Sequence, residues 1–145
     1  MKKLIFFLSL AVTPLFAQEI LPLRQRAKVI DQIQKERIKK LLPKLMNEQD
    51  IDIWVMITRE YNEDPIVKTL LPPTWLNARR RTILAFSKTK SIIDPVAITR
   101  YNFGKNIRSI WNKEEHPDQW KALSDYIVSQ NPKKIGIYNV TSPKP

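Results

Sequence analysis

The chain has 145 residues, 43% of them apolar, with 25 Lys and Arg against 14 Asp and Glu for a formal charge of +11, and no cysteine. That length holds one domain with a real core and is too short for two ordinary ones, while the missing cysteine excludes thiol catalysis, disulfides and Cys-ligated zinc and leaves stability to the core alone. The charge suits nucleic acid or an anionic membrane surface, but the basic residues are scattered along the chain and no Gly/aromatic RNA-binding pattern accompanies them, which favours solubility and docking against an acidic surface.

In chain order, Lys2 and Lys3 precede the apolar run Leu4 to Val12, and "TPLFAQ" follows. A basic start, a short apolar stretch and a small residue before the break describe a secretory signal peptide, residues 1–17, cleaved after Ala17. The run is shorter than the ~20 apolar residues a spanning helix needs. The expected location is therefore exported, periplasmic or extracellular, without a membrane span, and the folded domain is 18–145. From Arg24 to Met46, Ala27, Ile30, Ile33, Ile38, Leu41, Leu42 and Leu45 form one helical stripe. Pro43 lacks the N–H that would bond back to residue 39, so a bend or break is expected there. Ile51, Ile53, Val55 and Ile57 then alternate with Trp54 and Met56. Apolar side chains on both faces predict a central strand covered on both sides.

Thr58 to Leu76 is a long connection with Pro65, Pro72 and Pro73, and Ile66 to Leu70 is the place in it for a short helical turn. Arg79-Arg80-Arg81 runs straight into an apolar strand, Thr82 to Phe86, so the three arginines are expected to alternate between faces. "SKTKS" (Ser87 to Ser91) reads as a turn and Asp94 to Thr99 as the returning strand of a hairpin. Asn102 to Trp111 has room for a short edge strand. His116-Pro117-Asp118 opens a helix, with Pro at its first position and an acid in its first turn. Trp120, Leu123 and Ile127 form its buried stripe, Asn131-Pro132 ends it, and Ile135 to Tyr138 is the last strand. The order predicts an α/β fold, a mixed β-sheet flanked by helices.

Chemistry-bearing motifs are few. "TREYNEDP" (Thr58 to Pro65) packs Glu60, Glu63 and Asp64 beside Arg59. Carboxylates that close suit acid/base work or metal binding; the alternative is a solvated loop in which Arg59 pairs with Glu63 or Asp64. His116 is the single imidazole, and at a helix start beside proline it reads as a cap. Gly104 and Gly136 are the two glycines, too few for a phosphate-cradling loop.

Three segments, "RIKKLLPKLMNEQDIDIWVMITREYNEDP", "LPPTWLNARRRTILAF" and "HPDQWKALSDYIVSQNPKKIGI", resemble in order and spacing the N-terminal domain of the creatinase/prolidase/aminopeptidase P family of pita-bread metallopeptidases, in its exported bacterial Xaa-Pro aminopeptidase-like branch. The resemblance spans Leu21 to about Val140. It implies a creatinase N-terminal-like domain with a ribonuclease-H-like outline but no nuclease function. It also implies a separate catalytic domain that holds a divalent metal pair (Mn, Co or Zn) on two Asp, one His and two Glu and cleaves before proline with a metal-bridging hydroxide.

None of those ligands has a counterpart in this chain. No catalytic or metal residue carries over, no cofactor is expected in it, and it is expected to be inactive alone. In family members the N-terminal domain shapes the active-site mouth, often across a dimer; Tyr61, Trp75 and Arg79, in or after the long loop, are the candidates for such contacts, with Trp75 in the core and Arg79 holding the loop as the alternative. Expected partners are the catalytic domain or a second subunit of a homodimer, and proline-containing peptides, with no nucleic acid. The rival expectation is a stand-alone exported binding module without catalysis.

Overall fold

In the computed structural model residues 20–137 are described. The expected signal peptide, Tyr138 of the last strand and the tail lie outside the described residues. Helical backbone runs from Leu23 to Glu48 as α1 (Leu23–Glu36), one wide π turn (Arg37–Leu41) and α2 (Leu42–Glu48). The bend expected at Pro43 is replaced by this turn: the Leu42 N–H reaches back five residues to Arg37 O, so the ladder is already reorganised where the proline has no donor to give.

The buried face of this helical run differs from the expected stripe. Ile30, Ile33 and Leu41 are 39–46% exposed, whereas Gln34, Ile38, Leu42 and Met46 are buried. These four are each four residues apart, and four residues overshoot a 3.6-residue turn; the wide turn takes up the drift and keeps them on one side. Gln34 faces inward because both ends of its amide find partners. Its Nε2 donates to Leu70 O, and its Oε1 accepts from Asn106 Nδ2 at 2.8 Å, which removes the cost of burying a polar group.

Five strands form one sheet: β1 (Ile53–Arg59), β2 (Arg81–Thr89), β3 (Ile92–Ile98), β4 (Arg108–Ser109) and β5 (Ile135–Ile137), in the order β4-β3-β2-β1-β5. β1–β2 and β2–β3 are antiparallel, β1–β5 and β3–β4 parallel. The sheet is mixed and the fold α/β. β2 runs on through Ser87 to Thr89, where a turn was expected, because Ser87 and Lys88 pair with Asp94 and Ile93 and the hairpin closes only at Lys90-Ser91. Asp52 fixes the start of β5: its Oδ2 accepts the backbone N–H of Lys133 at 2.8 Å and of Lys134 at 3.0 Å. Those two bonds hold its carboxyl below the usual range.

Alternation on the central strands builds two cores. Met56, Leu84, Phe86 and Ala97 meet Ile38, Leu42 and Met46 of the helical run, with Val67, Leu70, Trp75, Phe103 and Ile107 filling that layer. Ile53, Val55, Ile83, Ala85, Val96 and Ile98 face Leu123 on the other side. Each fully buried side chain of this size contributes ~1.5–3 kcal/mol relative to exposure, so helices on both faces are what hold the strand ends in place.

The short α3 (Pro65–Leu70) forms where a helical turn was expected. α4 (Gln119–Gln130) begins two residues later than its proline suggested, with Asp118 as N-cap; its side chain accepts from the N–H groups of Trp120 and Lys121. Pro117 thus precedes the cap, and His116 has no capping role because Asp118 fills it. Trp120 is 47% exposed. The inward place expected for it belongs to Gln119, whose Nε2 donates to Ile98 O at 2.6 Å and Arg81 O at 3.2 Å. Further along α4 the Tyr126 hydroxyl is buried near Asp94 and Ser87 without a hydrogen bond of good geometry to either; burial first, then the Asp94 charge, pushes its ionisation up to about 12.

Candidate functional site: an arginine-rich cleft

β1 and β3 end, and β2 begins, at one end of the sheet, because the three strands are consecutive antiparallel neighbours. Each apolar strand is flanked there by arginine: Arg59 closes β1, Arg81 opens β2 and Arg100 follows β3. Arg59 and Arg81 are direct cross-strand partners. The loop after Trp111 and the first residues of α4 close the other side. The result is a cleft of about 950 Å³ lined by six cationic side chains, Arg59, Arg79, Arg80, Arg81, Arg100 and Lys113, against two carboxylates, Glu60 and Asp118. Asp118 is committed to its helix. Among the described residues none of the six cations is in an ion pair.

This arrangement departs from the sequence expectation in two ways. Basic residues from four separate places in the chain, Arg59, the Arg79-Arg80-Arg81 run, Arg100 and Lys113, are brought together by topology. The Arg79-Arg80-Arg81 run does not alternate between faces: all three line the cleft, because only Arg81 lies in the strand and Arg80 sits at φ +49°, which swings the chain out of extended geometry.

Tyr61, from the start of the long loop, and the neighbouring Trp75 and Arg79, from its end, line this one cleft. Trp75 is buried; its ring meets Phe103 edge-on at 4.9 Å. The Arg79 guanidinium lies over the Trp75 ring, 4.7 Å from its centroid. Trp75 is therefore both a core residue and the floor under a cleft arginine. Arg81 repeats the device over Trp120, also at 4.7 Å. Tyr61 stands on the rim, 90% exposed, at φ +67°. Its tight turn is closed by the Arg59–Asn62 bridge.

The rim is held by backbone. The Glu60 N–H donates to Arg80 O at 2.7 Å, and Arg80 N–H donates to Glu60 Oε2 at 3.4 Å. Two non-glycine residues with positive φ, Tyr61 and Arg80, thus sit on adjacent cross-linked turns, a strained geometry that surrounding structure must impose. Trp111 Nε1 donates to His116 O at 2.6 Å and ties down the loop opposite.

The carboxylates of "TREYNEDP" do not act together. Glu60 holds Arg80, Glu63 lies 3.9 Å from Lys68, and Asp64 is buried as the N-cap of α3, accepting from Ile66 N–H at 2.6 Å. Arg59 pairs with neither Glu63 nor Asp64, since both are already engaged within the loop and the following helix. Among the described residues no group of three or more His, Asp or Glu stands close enough to hold a metal ion, and no helix is long and apolar enough to cross a membrane.

What the cleft offers is oxyanion recognition: guanidinium forks, two of them held over indole rings. Of its lining residues, sequence reasoning missed Arg59, Arg80, Arg81, Arg100, Tyr101, Trp111 and Lys113. The signal lay in the arginines flanking "IDIWVMIT", "TILAF" and "PVAIT", which share an edge once the strands are placed antiparallel. Comparison with protein-family models, with curated proteins and with solved structures gives no match.

Proposed function

We propose that this chain is the non-catalytic N-terminal domain of an exported Xaa-Pro aminopeptidase-like metallopeptidase. Its cleft then forms part of the mouth through which a proline-containing peptide reaches a catalytic domain. The observation that carries this reading is the convergence of Tyr61, Trp75 and Arg79 on one cleft at the strand ends. A mixed sheet with helices on both faces is compatible with the creatinase N-terminal-like, ribonuclease-H-like outline that the three sequence segments resemble. The divalent metal pair (Mn, Co or Zn) and the hydrolytic step belong to the catalytic half, and this domain contributes shape, charge and a docking surface for that half or for a second subunit of a homodimer.

The purified chain should give no turnover of Ala-Pro or longer Xaa-Pro peptides with manganese, cobalt or zinc; metal-dependent hydrolysis that follows the protein through purification overturns the reading. In an enzyme joined to its catalytic half, Tyr61→Ala and Arg79→Ala should raise KM for Xaa-Pro peptides, and unchanged KM and kcat contradict a mouth role.

The cluster of six cations, none in an ion pair among the described residues, favours a second reading, a stand-alone exported binding module. An abundant, monodisperse cellular product ending at Pro145 supports it over the first.

A further inference from the structure

We infer that the arginine-rich cleft binds an acidic peptide segment, engaging two or more of its side-chain carboxylates at once. The inference rests on the peptide-facing role proposed above, and adds to it a preference for acidic residues.

Arg59 and Arg81 are placed directly opposite each other in the β1–β2 ladder, an arrangement that disfavours the sheet unless something offsets it. Among the described residues the compensation is incomplete: two carboxylates of the lining, Glu60 and Asp118, face six cations, and each also accepts from backbone N–H groups. A ligand bearing several negative charges supplies the missing compensation.

The cations are five arginines and one lysine. Arginine matches planar oxyanions with two parallel hydrogen bonds, whereas lysine is a point charge. Arg79 and Arg81 are also preset, each stacked 4.7 Å from a tryptophan centroid, so less side-chain freedom is lost when they bind. The volume, about 950 Å³, is near the upper end of sites for discrete ligands; one small ion would leave most of the cations unengaged.

Proteins that bind single-stranded nucleic acid offer free aromatic faces to successive bases. Here Trp75 is buried beneath Arg79, and one face of Trp120, 47% exposed, carries Arg81, which commits both indoles to presenting guanidiniums. Tyr61 and Tyr101 are exposed at the rim, and oligothymidylate in the test below separates stacking on them from carboxylate capture.

The test is binding of hexaglutamate to this chain by calorimetry at low and moderate salt, with hexaglutamine, inorganic phosphate and single-stranded oligothymidylate as comparisons. Hexaglutamate should bind, hexaglutamine should not, and affinity should drop about tenfold or more on raising salt from low to moderate ionic strength. Arg59→Gln with Arg100→Gln should weaken binding about tenfold or more while the circular dichroism spectrum is unchanged, since both side chains are exposed and support no core contact. Lys113→Gln, from the opposite wall, gives an independent reduction. No binding of hexaglutamate overturns the inference, as does unchanged affinity in all these variants. Phosphate binding as tightly as hexaglutamate refutes multivalent capture, and tighter binding of oligothymidylate assigns the cleft to nucleic acid instead. Because the readout is binding to this chain alone, failure here leaves the peptidase-domain reading to be judged by its own experiments.

Discussion

Trp75 joins the core to the cleft, and its replacement separates the two contributions. The side chain is 8% exposed, packs edge-on against Phe103 at 4.9 Å and carries Arg79 over its other surface. Trp75→Ala removes a buried aromatic for a cost of about 3–5 kcal/mol, of which the Phe103 pair accounts for ~0.5–1.5 kcal/mol. At ~4 °C per kcal/mol for a domain of this size, the melting temperature falls by ~12–20 °C. Arg79→Ala costs much less, ~0.5–1 kcal/mol, the value of a partly exposed cation–π contact. In a double-mutant cycle on Trp75→Phe and Arg79→Ala, whatever coupling the smaller phenyl ring loses appears as non-additivity of a few tenths of a kcal/mol up to ~1 kcal/mol. The assay is urea unfolding followed by far-UV circular dichroism, which does not depend on the tryptophan signal. A Trp75→Ala cost below ~1 kcal/mol refutes the core assignment, and strict additivity of the pair refutes the stacked arginine.

Three further outcomes follow from particular contacts. Gly104 has φ +74°, and a Cβ there would lie 2.6 Å from the Pro72 ring, so Gly104→Ala should cost ~2–4 kcal/mol from left-handed strain plus overpacking; an unchanged urea midpoint contradicts this packing. Tyr126 keeps its proton to about 12, above the ordinary 10, so between those values the folded state holds a proton that the unfolded chain releases, and stability falls as pH rises through that window. Tyr126→Phe should lessen that fall and be neutral or stabilising at pH 7, because it deletes a hydroxyl with no partner; a steep loss at pH 7 shows that the hydroxyl is bonded after all. Asp52, held below 3.8 by the Lys133 and Lys134 N–H groups, stabilises the start of β5 above that pH, and its contribution is lost as pH falls through the lowered value. Thermal melts of Asp52→Asn should show a flatter acid limb than the parent, and parallel curves contradict the role.

Much of the architecture was legible because it rests on local rules. Apolar residues on both faces of Ile53 to Ile57 and of Thr82 to Phe86 required a sheet covered on both sides, and helices are packed there. The hairpin, the short helix after Asp64 and the stop at Asn131, left-handed at φ +46°, follow from turn and capping chemistry. The phase of the first helix was not legible. Gln34 is polar, yet a partner far along the chain, Asn106, and the Leu70 carbonyl make its burial favourable, and a π turn shifts the register of everything after it.

For the site, the family resemblance and a place in or after the long loop pointed to Tyr61, Trp75 and Arg79, and they line one cleft. The remaining arginines escaped notice because each looks like an ordinary polar residue bounding a strand; only the antiparallel order of β1, β2 and β3 gathers them. For the acidic loop the sequence left two readings, a carboxylate site or a polar loop, and each of Glu60, Glu63 and Asp64 meets a different nearby donor.

The central claim, a non-catalytic domain that serves a metallopeptidase, is tested most directly by reading the coding DNA beyond the codon for Pro145 and around it. The account predicts a segment, in frame or in an adjacent gene, that carries two Asp, one His and two Glu in the order of a pita-bread metal centre. A stop codon with no such segment nearby contradicts it, and the arginine cleft then stands as the function of an independent binding module.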